Sequence, residues 1–193
     1  MVKFTSRKVT GGHKMVNNNR VKKICGFYAS SVHLVTMLLP YLKNQINDHV
    51  QIETIFEYSL KEDIKNILSN LIINEKEKEK LLNINWDENK TQKYVSFERK
   101  INKILKQYSN NIIIVINGSK KYIENINIMI NKFIRKNDKL IENRGINIIN
   151  CYEIGNFDNN IREILKTHDS IINTSGIHKI EDVFDYYKKE KAN

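Results

Sequence analysis

Proline and tryptophan each occur once in the 193 residues, and cysteine twice. Cys25 and Cys151 sit inside apolar stretches with no C-x-x-C spacing. That excludes a disulfide framework and fits buried free thiols in a reducing compartment. No apolar run approaches the roughly 20 residues that span a bilayer. The longest, from Val32 to Leu42, contains Thr36 and Pro40 and reads as a buried helix. The N-terminus lacks the apolar core of a secretory signal, so the expected address is the cytoplasm. Five histidines (His13, His33, His49, His168 and His178) show no i, i+4 pair and no H-E-x-x-H. No metal site is expected from them.

Acid is missing from the start of the chain, where the first carboxylate is Asp48. Residues 1–23 carry Lys3, Arg7, Lys8, Lys14, Arg20, Lys22 and Lys23. Taking these 7 from the 32 basic residues leaves 25 against 22 acids, so the remainder holds only +3 of the net +10. Asn, Ile and Lys are abundant throughout, a bias that AT-rich coding also produces, so lysine number alone identifies no partner.

The chain is long enough for one sizeable core, and a second full domain is not expected. A 40% hydrophobic and 28% charged composition is ordinary for a globular protein. Residues 1–20 lack sustained periodicity and contain the breakers Gly11-Gly12 and Asn17-Asn18-Asn19. They read as a flexible basic arm, and residues 21–193 as a single domain.

Within that domain Val21 to Tyr28 reads as a strand, followed by a helix to Asn47 with an apolar stripe through Val32, Val35, Leu38, Leu39 and Leu42. Pro40 should kink it or cost a hydrogen bond. Val50 to Tyr58 reads as a strand. Ser59 with Glu62 has capping-box spacing for the next helix, and Glu75 to Lys80 is a solvated helical or loop segment. Leu81 to Trp86 reads as a short strand and Tyr94 to Tyr108 as an amphipathic helix. The β-branched run Asn111 to Asn117 suits a central parallel strand covered on both faces. A helix from Lys120, a strand from Ile146 to Tyr152, a helix from Phe157 to Thr167, a strand from Ser170 to Asn173 and a helix from Ile180 to Lys189 complete the series. Alternation of strand and helix predicts an α/β fold of three layers, a largely parallel sheet flanked by helices.

In such sheets ligands bind at the carboxyl ends of strands, beside helix N-termini. Three turns occupy that position. The first, Phe27 to His33, offers Tyr28, Ser30, Ser31 and His33, but has no lysine, no glycine pair and no G-x-x-x-x-G-K-[ST]. The second is Asn117-Gly118-Ser119, and the third Tyr152-Glu153. In each, helix capping by Ser30 or Ser119, or a solvated carboxylate at Glu153, is the commoner role for such residues. His168 follows a helix end, where the dipole favours an imidazole. No nucleophile, base and orienting group fall together, so no catalytic residue is expected.

Read in order, Ile24-Cys-Gly-Phe-Tyr28, Leu38-Leu39-Pro40-Tyr41-Leu42, Asn150-Cys-Tyr-Glu153 with Phe157, and Leu165-Lys-Thr-His168-Asp-Ser-Ile-Ile172 resemble the MEDS domain, the sensory domain of DcmR-type regulators. The resemblance covers roughly residues 21–175 and implies a RecA- or KaiC-like domain without a phosphate loop. It also implies sensing of a small ligand or signal rather than catalysis. The chain departs from the family pattern at Lys22-Lys23, Asp169 and Asn127, where a His, a Pro and a Glu are usual. The expectation is a non-enzymatic sensory or regulatory domain without a cofactor, binding a small ligand or a protein partner. The alternative is a nucleic-acid-associated protein that uses Lys3, Arg7, Lys8, Lys14 and Arg20 of the arm.

Overall fold

The computed structural model describes residues 21–48, 50–89, 94–107, 111–141, 144–156 and 161–184. Six strands form one sheet in the order β2-β3-β4-β1-β5-β6. They are β1 (Val21–Tyr28), β2 (Gln51–Phe56), β3 (Ile112–Gly118), β4 (Ile146–Glu153), β5 (Ser170–Asn173) and β6 (Gly176–Lys179). All pairs are parallel except β5 with β6. The helices are α1 (Ser31–Asn47), α2 (Lys61–Asn70), α3 (Glu75–Leu82), α4 (Tyr94–Gln107), α5 (Lys120–Lys136), α6 (Asp138–Ile141), α7 (Ile161–Lys166) and α8 (Ile180–Val183). The α/β class and three layers are those predicted.

Alternation along the strands divides the core in two. Ile112, Ile114 and Ile116 of β3 and Ile146 and Ile148 of β4 pack under α4, α5 and α7 through Phe97, Ile126, Ile130, Phe133 and Ile164. Ile113, Val115, Ile149 and Cys151 face the other way, against Leu34, Leu38 and Leu42 of α1 and Ile64 and Leu68 of α2. β3 is buried at every position, as a strand covered on both sides must be. It is an interior strand but not the middle one. β4 and β1 occupy that place, because the chain threads β1 between β4 and β5.

This threading positions the site. After β1 the chain crosses by α1 to β2, beyond β3 and β4; after β4 it crosses by α7, on the opposite face, past β1 to β5. Right-handed crossovers running in opposite directions must lie on opposite faces. The loops after β1 and β4 therefore part above adjacent strand ends, where Tyr28 is level with Glu153. In α/β sheets such a divergence is where ligands bind.

Several local expectations change. Leu81 and Leu82 end α3 and no strand follows. Trp86 instead tucks onto Phe56, ring centres 5.9 Å apart, and its Nε1–H donates to the Leu81 carbonyl at 2.8 Å. Residues 83–89 cover the outer edge of β2: Thr54 Oγ donates to the Asn85 carbonyl and Asn89 N–H to that of Phe56. A sheet edge sealed in this way cannot recruit another strand. Leu60, not Ser59, precedes the first residue of α2, and it makes no side-chain cap; Ser59 Oγ accepts from Lys61 N–H, so the Ser59–Glu62 box does not form. Pro40 is accommodated without interrupting α1, at an exposed position on the helix. α8 is a single turn ending at Val183, and the antiparallel β6 was not foreseen. The expected start of α7 at 157–160, the tail beyond 184 and the basic arm lie outside the described residues.

Candidate functional site

At the end of β1, Ser30 is extended (φ −157°, ψ 163°) and caps α1, its Oγ accepting from the His33 amide at 3.2 Å. His33 returns the contact, Nδ1 accepting from the Ala29 amide at 3.1 Å. Two amides that could face an anion are thus satisfied by the turn's own side chains. Ser31 opens the helix half-buried, beside an exposed Val32. No lysine and no glycine pair stand here to close around a phosphate.

The β3–α5 turn is closed more firmly. Ser119 caps α5 through Tyr122 N–H at 3.3 Å. The Ser119 amide donates to Glu57 Oε2, and its hydroxyl donates to Glu57 Oε1 at 3.2 Å. Glu57 follows β2, held there by its amide on the Asn117 carbonyl at 2.8 Å. A carboxylate at a helix N-terminus is favoured by the free amides and the helix dipole. Here the chain supplies its own anion where a ligand's would sit. The close approach requires Gly118 (φ +157°), because a β-carbon there would lie 2.6 Å from Glu57 Oε2 and 2.7 Å from Glu57 Cβ. Tyr122 lies alongside, its hydroxyl pushed up to about 12 by burial and then by the Glu57 carboxylate.

Between these turns Tyr28 reaches across β4 and donates to Asn117 Oδ1 at 2.6 Å, both side chains buried. Burial first, and then Cys151 and Glu153, raise the Tyr28 hydroxyl well above its ordinary range. It is therefore a neutral donor. Burial likewise pushes Cys25 up to about 12 and Cys151 higher still, so neither thiol is a nucleophile at neutral pH. Glu153 stands half-buried level with Tyr28. Tyr152 points to the other face, buried, its ring 5.9 Å from that of Phe27.

The fold thus gathers Tyr28, Ser30, Ser31, His33, Asn117, Ser119 and Glu153 at one edge, while Tyr152 and His168 lie beneath α5 and α7. His168 Nδ1 is 2.6 Å from the Ile164 carbonyl, which can only accept, so Nδ1 carries the proton. Nε2 then accepts from Asn150 Nδ2 at 2.8 Å, and Asn150 Oδ1 accepts from Asn127 at 3.2 Å. Burial lowers the imidazole pKa, with Lys23 adding to the effect and the Ile164 carbonyl and Asp169 opposing it. His168 caps the end of α7 as a neutral donor to the Ile164 carbonyl; its lowered pKa runs against the dipole expectation, which favours a cation there. Sequence reasoning missed Glu57, and it named Asn150 and Asn127 only in the family comparison, not as partners of His168. Of these, only Glu57 had a signal, an acid just past a strand end. Among the described residues no three His, Cys, Asp or Glu side chains are grouped to hold a metal, and no helix is long and apolar enough to cross a membrane.

No family model and no curated protein match the chain. Among solved structures it is similar to one described as "ATPase Domain of G40P", at 12% identity and a TM-score of 0.44, over 79% of this chain and 68% of that one. A likeness that faint carries no argument about chemistry.

Proposed function

We propose that this domain is a non-enzymatic sensory or regulatory module that takes a small ligand or a protein partner at the carboxyl edge of its sheet, in signalling or transcriptional control. The observation that carries the reading is the Glu57–Ser119 contact. A nucleotide-hydrolysing site needs backbone amides and a cation aimed at the phosphates. At this edge the chain's own carboxylate holds one such amide, and the β1–α1 turn has no lysine. The edge keeps the polar rim of Ser30, Ser31, His33 and Glu153, with Tyr58 and Val32 exposed beside it. A few polar groups among apolar ones suit recognition. The resemblance to the MEDS domain points the same way.

The test is ATP with Mg²⁺, followed by phosphate release and by calorimetric titration. Phosphate release at the buffer background and no binding heat are expected. Turnover that disappears in Ser30→Ala or Ser31→Ala would overturn the reading and make the domain a nucleotide enzyme.

A further inference from the structure

We infer that the opposite, amino edge of the sheet is a docking surface for duplex nucleic acid. The inference stands independently of the ligand site. Lys22 and Lys23 are the second and third residues of β1, whose first residue is level with the start of β4. Lys179 ends β6 opposite Ser170, the first residue of β5. Lys166 ends α7, and the Asp169 amide just beyond it bonds the Lys23 carbonyl at 2.7 Å. Lys139 lies in α6, between the end of α5 and the start of β4. Topology therefore lines five exposed or half-exposed lysines along one rim.

Their lack of partners contrasts with three lysines of the other edge. There Lys61 pairs with Asp87 at 3.0 Å, Lys65 with Glu62 at 2.9 Å, and Lys120 with Glu124 and Glu163 at 3.9 and 3.8 Å. Among the described residues none of Lys22, Lys23, Lys139, Lys166 and Lys179 has a carboxylate within ion-pair distance of its ammonium. The Asp169 carboxylate accepts instead from the Lys23 backbone amide at 2.7 Å. The difference is one of proportion: among the described residues Lys121 at the carboxyl edge has no ion pair either, and on this rim Lys136 pairs with Glu98 at 2.7 Å.

The chain outside the described region sharpens the choice of partner. Twenty residues with five cations and no acid join the fold at Val21, on this same rim. Their lack of an amphipathic period leaves no apolar face to enter a lipid headgroup layer. A line of cations with a cationic extension matches a phosphate backbone, with the salt-dependent affinity of counterion release.

The experiment measures anisotropy of a labelled 20-base-pair duplex of arbitrary sequence against the full chain, from about 50 to 200 mM salt. One variant carries Lys22→Gln, Lys139→Gln, Lys166→Gln and Lys179→Gln. A charge-matched control carries Lys61→Gln, Lys65→Gln, Lys120→Gln and Lys121→Gln. The rim variant should bind at least tenfold more weakly at low salt, with a slope of log K against log salt flatter by about 2 to 4, at roughly 0.9 for each phosphate no longer neutralised. The control should stay within about twofold of the parent, since its lysines neutralise no phosphate. Equal losses in both, no duplex binding by the parent, or equal binding to phosphatidylserine vesicles would overturn the inference. So would loss of all affinity on deleting residues 1–20 while the rim variant binds normally. Thermal melts check that both variants fold. If one does not, Lys22→Gln and Lys179→Gln are compared singly with Lys121→Gln, and the same ordering is required.

Discussion

Replacing Gly118 by alanine tests the closed β3–α5 turn directly. The new β-carbon would stand 2.6 Å from Glu57 Oε2, 2.7 Å from Glu57 Cβ and 2.8 Å from Tyr122 Cδ1, at a φ of +157° that side chains rarely adopt. Two of those atoms could swing away; Glu57 Cβ, fixed to the backbone, could not. Overpacking of this kind costs about 1–3 kcal/mol. Expelling the carboxylate also breaks its charged hydrogen bonds to Ser119, worth about 1.5–3 kcal/mol each when buried and less at this half-buried edge. A total near 3 kcal/mol lowers the midpoint of a domain this size by roughly 6–12 °C. Gly155→Ala is the control, because a β-carbon there meets nothing within 4 Å, and its melting should move by no more than about 2 °C. Circular dichroism melts of the two proteins decide the matter. If Gly118→Ala melts with Gly155→Ala, the contact does not hold the turn. A third protein, Gly118→Ala with Glu57→Gly, removes both Glu57 atoms from the clash. Its loss must be smaller than the sum of the single losses if the residues act on one another.

Two further substitutions probe the core and the buried imidazole. Ile114→Asp places a carboxylate at a position 3% exposed in an interior strand; an unpaired charge there costs several kcal/mol, comparable to the whole folding free energy, and a melt unchanged from the parent would refute the strand's placement. His168 is held below its ordinary pKa of 6.5, so below that pH the unfolded chain binds more protons than the folded one. Its contribution to stability is full above about pH 6.5 and is lost as pH falls through the lower folded value; urea midpoints should drop between pH 7.5 and 5 by less in His168→Gln than in the parent, and equal drops would remove His168 from the account.

How much was legible in the sequence depended on whether a residue's role is local. The β-branched run of β3 announced itself because burial on both faces demands unbroken apolar sequence. Ser30 and Ser119 read as caps because a cap needs only the next three residues. Gly176-Ile-His-Lys179 escaped notice because the strand is only four residues long and half exposed. Leu81 to Trp86 mimicked a strand because two apolar requirements, the end of α3 and the Trp86–Phe56 contact, fell close together. Glu57 acts only because β2 lies beside β3, 62 residues from Ser119. The Asn127–Asn150–His168 chain likewise spans three elements, and no spacing rule joins them.

The same geometry that makes strand ends attractive to anions explains the distribution of charge over this domain. Free amides at the starts of α1 and α5 would draw a phosphate, and here His33 and Glu57 answer them from within the chain. Glu153 and Asp87 stand at the same edge, Asp87 paired with Lys61, while the five unpaired lysines gather about one strand length away, roughly 26 Å for the eight residues of β1 at about 3.3 Å each. That distance exceeds the Debye length of about 8 Å at physiological salt, so neither rim screens the other. A ligand at the carboxyl edge and nucleic acid at the lysine rim would then occupy opposite ends of β1, the strand common to both, and neither would obstruct the other.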